Sequence, residues 1–428
     1  MRARELGIKI GLLEPGELDA ITDVPGVCVG HATLVSGEGP LAVGEGPVRT
    51  GVTVVVPHED DVWTEPVFAG CHRLNGNGEL TGLEWVRESG FLGGVIGITN
   101  THSVGVVRDA LIAHAARSHA NDSVYWSLPV VGETYDGALS DMDGFHVKPS
   151  NVDAALAAAA GGPVPEGNVG GGTGMICHEF KGGIGTASRR VAASDGGWVV
   201  GALVQANYGS RRLLRIDGVP VGQEIPVDEV PSPWDQVERL DAEARAKAAA
   251  SVSSAAAASI APACPGGSSR SGPEGGSIIV VLATNAPLLP HQCTRLAQRA
   301  SLGIARMGSI ASHGSGDLIV AFATGNRGLS RTAGEEDPRQ TVAVQMVVDK
   351  AINPLFQAAV EATEAAIVNA LLAAQTMVGR DGITAHALDH GRLVEIMARY
   401  GRGPSSAAAH ANPDGATAQP GPRRSTAG

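Results

Sequence analysis

Short apolar runs closed by turn residues alternate with stretches of helical spacing through the first 232 residues. "GVTVVVP" (51–57), "GGVIGIT" (93–99) and "GGWVVGALVQAN" (196–207) are rich in β-branched residues and bounded by glycine, proline or asparagine, which predicts buried strands. Between them, "SVGVVRDALIAHAARSHA" (103–120) repeats apolar residues at three and four positions and predicts a helix. From about 234 the pattern becomes "DQVERLDAEARAKAAASVSSAAAAS"; good helix formers fill its first half and the pattern then decays. "APACPGGSSRSGPEGG" (261–276) offers almost no large apolar side chain, so a flexible connector is expected over about 246–276. Beyond it the pattern predicts a strand over 277–284 starting on Ser277, a helix over 288–307, an apolar run over 317–324 and a long helix over 353–377. The low-complexity stretch from about 402 predicts a disordered tail. Strands and helices interleaved in this way indicate an α/β or α+β sandwich.

Composition narrows the function classes. The 428 residues fit one large domain with a linker and a tail. Lysine and arginine total 32 against 44 acidic residues, a formal charge of −12, so no footprint for nucleic acid or an anionic membrane is expected. A small molecule or peptide is the expected substrate. Cys28, Cys71, Cys177, Cys264 and Cys293 are odd in number and form no CxxC pair, which predicts inert thiols rather than a disulfide framework or zinc site. His102, His178 and His291 show no HExxH spacing, and neither a metal nor a cofactor is expected. The opening "MRARELGIKIGLL" lacks a sustained apolar core with a cleavage site, and no later segment has about 18 uninterrupted apolar residues. A cytoplasmic protein is the expectation.

The chemistry concentrates where the connector meets the strand, in "PEGGSIIVVLAT" (273–284). Gly276 has no Cβ and lets the Ser277 hydroxyl approach the Gly276 carbonyl; attack gives an ester, and hydrolysis leaves Ser277 as a new chain start. The freed α-amine is then the nearest proton acceptor for the hydroxyl. Read alone, the junction also fits an ordinary loop entering a strand.

Further segments carry a resemblance. "AITDVPGVCVGHATL" (20–34), "LNGNGELTGLEWV" (74–86), "GITNTHSVGVVRDAL" (97–111), "VVGETYDGALSDMDG" (130–144), "GNVGGGTGMICHEFKGGIGTASR" (167–189), "LVQANYG" (203–209), "GSIIVVLATNAPLLPHQ" (276–292) and "GSGDLIVAFAT" (314–324) follow one another along the chain. With them the chain resembles the self-processing serine aminopeptidases, which include the L-aminopeptidase/D-esterase-amidases and the β-peptidyl aminopeptidases. The resemblance implies a four-layer αββα sandwich of N-terminal-nucleophile type (the DOM fold), with 1–276 and 277–428 as two pieces of one domain. It makes Ser277 the cleavage residue and nucleophile, with Gly276 giving the scissile carbonyl. Ser315 and Asp317 become the hydroxyl and carboxylate that orient and activate the nucleophile. Asn207 becomes the oxyanion donor, Glu133 the acid that holds a substrate's free amine, and Tyr135 a pocket residue. It also implies a peptide, amino-acid amide or ester substrate and a homotetramer of cleaved pairs.

Three other readings compete. His313 in "SHGSGD" invites a serine–histidine arrangement. A self-processing acyltransferase of the ornithine acetyltransferase type would use a threonine nucleophile where this chain has Ser277. "GGGTG" (170–174) is similar to phosphate-cradling loops of nucleotide-binding assembly proteins, although no lysine follows at Walker spacing.

Overall fold

The computed structural model describes residues 1–122, 124–251, 275–329 and 341–403. The expected connector falls largely outside the described residues, as does all but the start of the expected tail.

The strands are β1 (Cys28–Ser36), β2 (Val48–Val56), β3 (Val67–Gly76), β4 (Phe91–Leu92), β5 (Ile96–Asn100), β6 (Val130–Thr134), β7 (Ile176–Cys177), β8 (Phe180–Lys181), β9 (Gly183–Arg190), β10 (Val199–Asn207), β11 (Gly275–Thr284), β12 (Gly314–Ala323), β13 (Met377–Val378) and β14 (Thr384–Ala385). The helices are α1 (Leu83–Ser89), α2 (Val104–Ser118), α3 (Pro149–Ala157), α4 (Val221–Glu224), α5 (Pro233–Ser251), α6 (Pro290–Arg306), α7 (Asn353–Ala373) and α8 (His390–Arg399). One sheet has the order β1-β2-β5-β6, and a second has the order β4-β3-β12-β11-β10-β9.

Side-chain alternation explains why these sheets stack between helices. On β11, Ile279, Val281 and Ala283 meet Val55, Ile96, Ile98 and Val130 of the smaller sheet. Ile278, Val280 and Leu282 turn the other way, onto α6 and α7. A strand buried on both faces must be apolar throughout, which is why "SIIVVLAT" does not alternate. The smaller sheet buries its outer face, Val52, Val54 and Val131, under Val107 and Leu111 of α2 and Val152 and Ala155 of α3. The result is the expected four-layer αββα sandwich. Helix α7 is apolar and long enough to cross a membrane by length and composition, but 94% of its most apolar window is buried in this core.

Three boundaries differ from the expectation. Strand β11 begins at Gly275, so Ser277 is its third residue; Gly275 and Gly276 pair with Gly314 and Ser315. Glycines are poor strand formers and read as a turn, yet β12 supplies ladder partners for both, and pairing with β10 begins one residue later, at Ser277. Strand β12 likewise starts at Gly314, which puts Ser315 and Asp317 on the strand itself. Helix α7 stops at Ala373, short of 377, because Ala374 turns to extended backbone.

Strands on either side of the Gly276–Ser277 bond share one sheet, with β11 and β12 between β10 and β3. Cys71, Cys177 and Cys293 are buried free thiols and Cys28 is half-buried; Cys264 lies outside the described residues.

Candidate active site

The end of β10 and the start of β11 run antiparallel with Asn207 opposite Ser277. Both residues share the parity of Leu203 and Ile279, so both side chains turn toward the smaller sheet. There the parallel strands β5 and β6 end at Asn100 and Thr134, delivering Thr101 and Glu133 to the same place. A cavity of about 430 Å³ results, lined by Gly276, Ser277, Asn207, Glu133 and Tyr135, together with Asn77, Gly78, Glu79, Thr101, Trp234 and Gly314.

Glu133 is only 4% exposed, although alone in sequence it reads as a solvated turn carboxylate. Its Oε1 accepts the Glu79 N–H at 3.0 Å and its Oε2 accepts the Thr101 hydroxyl. Burial pushes the carboxyl above the usual range, and these two hydrogen bonds pull it back. Glu133 makes no ion pair among the described residues.

The amide of Asn207 has a fixed orientation. Its Oδ1 accepts the Ile176 N–H at 2.7 Å and its Nδ2 donates to the Tyr135 carbonyl at 3.0 Å, leaving the second Nδ2 hydrogen for the cavity. The loop bearing Ile176 is tied by Lys181, whose buried Nζ donates to the carbonyls of Met175 at 2.9 Å and Gly182 at 2.8 Å. Burial without a described carboxylate partner pushes Lys181 down to about 7. Lys181 lies within the resembling stretch 167–189 but was not singled out, because its contacts depend on the β7–β8 hairpin that folds over it.

Ser315 donates to Asp317 Oδ1 at 2.6 Å, and Oδ2 has no partner among the described residues. Burial pushes Asp317 up to about 6 against the Ser315 hydrogen bond. Asp317 is in register with Ile278, whereas Ser277 is in register with Gly316. The Ser315–Asp317 pair therefore occupies the helix-covered face, opposite the face on which Ser277 carries its hydroxyl. What the pair shares with Ser277 in the unbroken strand is the backbone between them.

Gly276 sits where only glycine fits: a Cβ would come 2.7 Å from Tyr208 Cα and 2.8 Å from the Asn207 carbonyl oxygen. Tyr135 lines the cavity and is 41% exposed, and Trp234 at the start of α5 provides a further aromatic wall. Neither Thr101 nor Trp234 was predicted; Thr101 lies within "GITNTHSVG", whereas Trp234 lies outside the resembling segments.

The competing readings find no support in the geometry. His313 is exposed and outside the cavity lining. His102 faces Asp143 at 3.0 Å, His291 is exposed, and His178 is a buried ring at 3.1 Å from the Ser210 carbonyl, pushed down to about 4 by burial. No cluster of three metal-ligating side chains occurs among the described residues. Gly170, Gly171 and Gly172 are buried where a Cβ would collide with Thr53, Gln205 and Ile184. These glycines permit close packing between the layers, and a phosphate would have no room there.

An αββα sandwich whose interlayer cleft ends on a strand-borne serine defines an N-terminal-nucleophile hydrolase. Within that class the sequence is decisive: residues 19–385 match the model of peptidase family S58, and the chain belongs to that family. It is 45% identical over 401 residues to beta-peptidyl aminopeptidase BapA of Sphingosinicella microcystinivorans, covering 94% of this chain and 93% of the relative. The enzyme of that name from Sphingosinicella xenopeptidilytica is 40% identical over 409 residues, covering 94% and 92%. Among solved structures, a Burkholderia sp. beta-aminopeptidase superposes with a TM-score of 0.80 at 50% identity, covering 94% of this chain and 99% of that one. The L-aminopeptidase D-ala-esterase/amidase of Ochrobactrum anthropi gives 0.78 at 41%, with the same coverage. The chain is thus a serine aminopeptidase of a self-processing family, and the peptidase reading prevails over the acetyltransferase type.

Proposed function

We propose that the Ser277 hydroxyl cuts the Gly276–Ser277 bond and that freed Ser277 then removes N-terminal residues from peptides, amides or esters through an acyl-enzyme. The observation that carries this reading is the meeting of Ser277, Asn207 and Glu133 on one cavity. Attack on the Gly276 carbonyl forms the ester as the bond to the Ser277 nitrogen breaks and that nitrogen takes a proton to become the α-amine; water then cleaves the ester, releasing the Gly276 carboxylate and the Ser277 hydroxyl. In turnover, Glu133 holds the substrate's ammonium, and this fixes the carbonyl beside Ser277. The free Nδ2 hydrogen of Asn207 donates to the oxyanion as charge develops. Ser315 and Asp317 act on the freed amine from the other face of the sheet. Tyr135 and Trp234 bound the side-chain pocket.

The substrate class we propose is peptides with an N-terminal β-amino acid, on the strength of the two relatives that carry that name. The two pieces stay associated, because separation would expose β11 and β12. An oligomer of cleaved pairs is supported by the extended stretch 341–348, which presents Val342, Val344, Met346 and Val348 at 44–50% exposure. Intact-mass measurement of wild type and Ser277→Ala tests the cut: two chains are expected for the first and one inactive chain for the second. Anilides bearing β-homoamino, L-α and D-α residues, assayed on wild type, test the substrate class. An intact wild-type chain with full amidase activity would defeat the processing step.

A further inference from the structure

A second cavity, of about 540 Å³, lies at the opposite end of the smaller sheet. Its floor is the residues that lead into β5 and β6, including Gly94, Val95 and Pro129, together with the last turns of α2. The active cavity lies where β5 and β6 end, so two five-residue strands, roughly 17 Å at about 3.3 Å per residue, separate the two sites.

The lining is aromatic and negative. His119 and Tyr125 stack with ring centroids 4.6 Å apart, and the Trp63 ring lies tilted against both, at 4.9 Å from His119 and 5.3 Å from Tyr125. Glu59, Asp60 and Asp61 face the same space, and no lysine or arginine is among the lining residues. Asp61 is engaged by the Trp63 N–H at 2.9 Å and by His119 at 3.0 Å, and Asp60 pairs with Arg327, but Glu59 makes no ion pair among the described residues. His58 lines the cavity and is 3% exposed. Its Nε2 donates to the Glu65 carbonyl at 2.7 Å, so Nδ1 carries a lone pair, and that atom has no donor among the described residues. Burial pushes His58 below its ordinary range, consistent with a neutral acceptor.

We propose that this cavity binds a small organic ammonium ion without a carboxylate, its apolar part against the Trp63–Tyr125–His119 cluster and its N–H groups toward Glu59 and His58 Nδ1. Aromatic faces attract cations, and a buried acceptor without a donor is satisfied by an ammonium hydrogen. A carboxylate on the ligand meets three acidic side chains and, among the described lining residues, no lysine or arginine, which disfavours anions and free amino-acid zwitterions. A metal ion is disfavoured by the absence of a three-ligand cluster among the described residues.

The test uses the full chain carrying Glu133→Gln, which removes the ammonium holder of the active cavity. Calorimetry with 2-(4-bromophenyl)ethylammonium should show saturable binding, and 3-(4-bromophenyl)propionate should show none. Crystals soaked in the amine should place the bromine anomalous peak against Tyr125. Adding Glu59→Gln, on an exposed side chain without a described ion pair, should weaken binding about threefold, and Tyr125→Leu about tenfold. The proposal is overturned by equal binding of the propionate, by a bromine peak elsewhere, or by Glu59→Gln leaving the affinity unchanged; this last variant keeps the test open should Tyr125→Leu not fold.

Discussion

Ser315 donates its hydroxyl hydrogen to Asp317 at 2.6 Å from the face of β12 opposite the one on which Ser277 holds its hydroxyl. Cleavage would free an amine from the backbone of Ser277, which pairs with Gly316 between these two residues. A proton leaving that amine is best received when Asp317 is ionised, and burial has moved that ionisation up to about 6. Turnover should therefore fall as pH drops through about 6. Asp317→Asn should lower kcat by about 100-fold or more and remove this acidic limb from the pH profile. An unchanged limb in the variant would assign the titration to another group.

The same shift bears on stability, and the sign is set by linkage. Asp317 holds its proton more tightly folded (about 6) than at its ordinary value of 3.8, so the contribution is full below about 4 and lost as pH rises through about 6. Asp317→Asn does not titrate. The melting temperature of the variant minus that of wild type should climb by a few degrees between pH 4 and pH 7, roughly as expected for a shift of about two pKa units in a large domain. Asp136 and Glu166, both pushed up to about 7 by burial, are common to the two proteins and cancel in the difference.

Legibility in the sequence followed how local the cause was. The strands β2, β10 and β11 were readable because a strand buried on both faces needs a run dominated by apolar residues. The pairing of Gly275 and Gly276 was not, since the partners at Gly314 and Ser315 lie about 39 residues away and nothing in "EGGS" encodes them. Ser277, Asn207 and Glu133 were singled out through motifs and line one cavity, yet the burial of Glu133 follows from β6 ending between two sheets. Trp234 escaped because it lies outside the resembling segments, and Lys181, although inside one, escaped because its contacts come only from the chain packed against it.

Glu133→Gln preserves the shape of the cavity and the acceptor for the Glu79 N–H, but removes the charge. Loss of one partner of a buried charge pair corresponds to about 2 to 5 kcal/mol, so kcat/KM for substrates with a free amine should fall by about 30-fold or more, chiefly through KM. N-acetylated esters, which carry no ammonium, should be hydrolysed at the wild-type rate. Equal loss on both substrate types would remove Glu133 from amine recognition.

Gly276→Ala tests the fit around the scissile bond. The added Cβ meets main-chain atoms of Tyr208 and Asn207 at 2.7 and 2.8 Å, and neither can swing aside as a side-chain tip would. The start of β11 must then lift off β10, separating the Gly276 carbonyl from Asn207. Processing should slow by at least about tenfold on time-resolved denaturing gels, a barrier increase of about 1.4 kcal/mol. Once cut, the chain beginning at Ser277 is identical to wild type, so the fraction that matures should show normal kcat.

The contact Asn207 makes to Ile176 and the oxyanion role proposed for it can be separated by substitution. Its Oδ1 satisfies the buried Ile176 N–H, and its Nδ2 has one hydrogen free for an oxyanion. Asn207→Ala removes both, leaving a buried N–H unpaired at a stability loss of about 1 to 3 kcal/mol and losing the donor. Asn207→Asp retains an acceptor for Ile176 but presents a carboxylate where the donor stood. Both variants should lower kcat by about 100- to 1,000-fold with little change in KM, the signature of a contact made only in the transition state. Urea titration should then part them: the alanine variant unfolds at lower denaturant than wild type, and the aspartate variant keeps the Ile176 hydrogen bond. If Asn207→Asp instead retains most of its turnover, the oxyanion donor is another group lining the cavity.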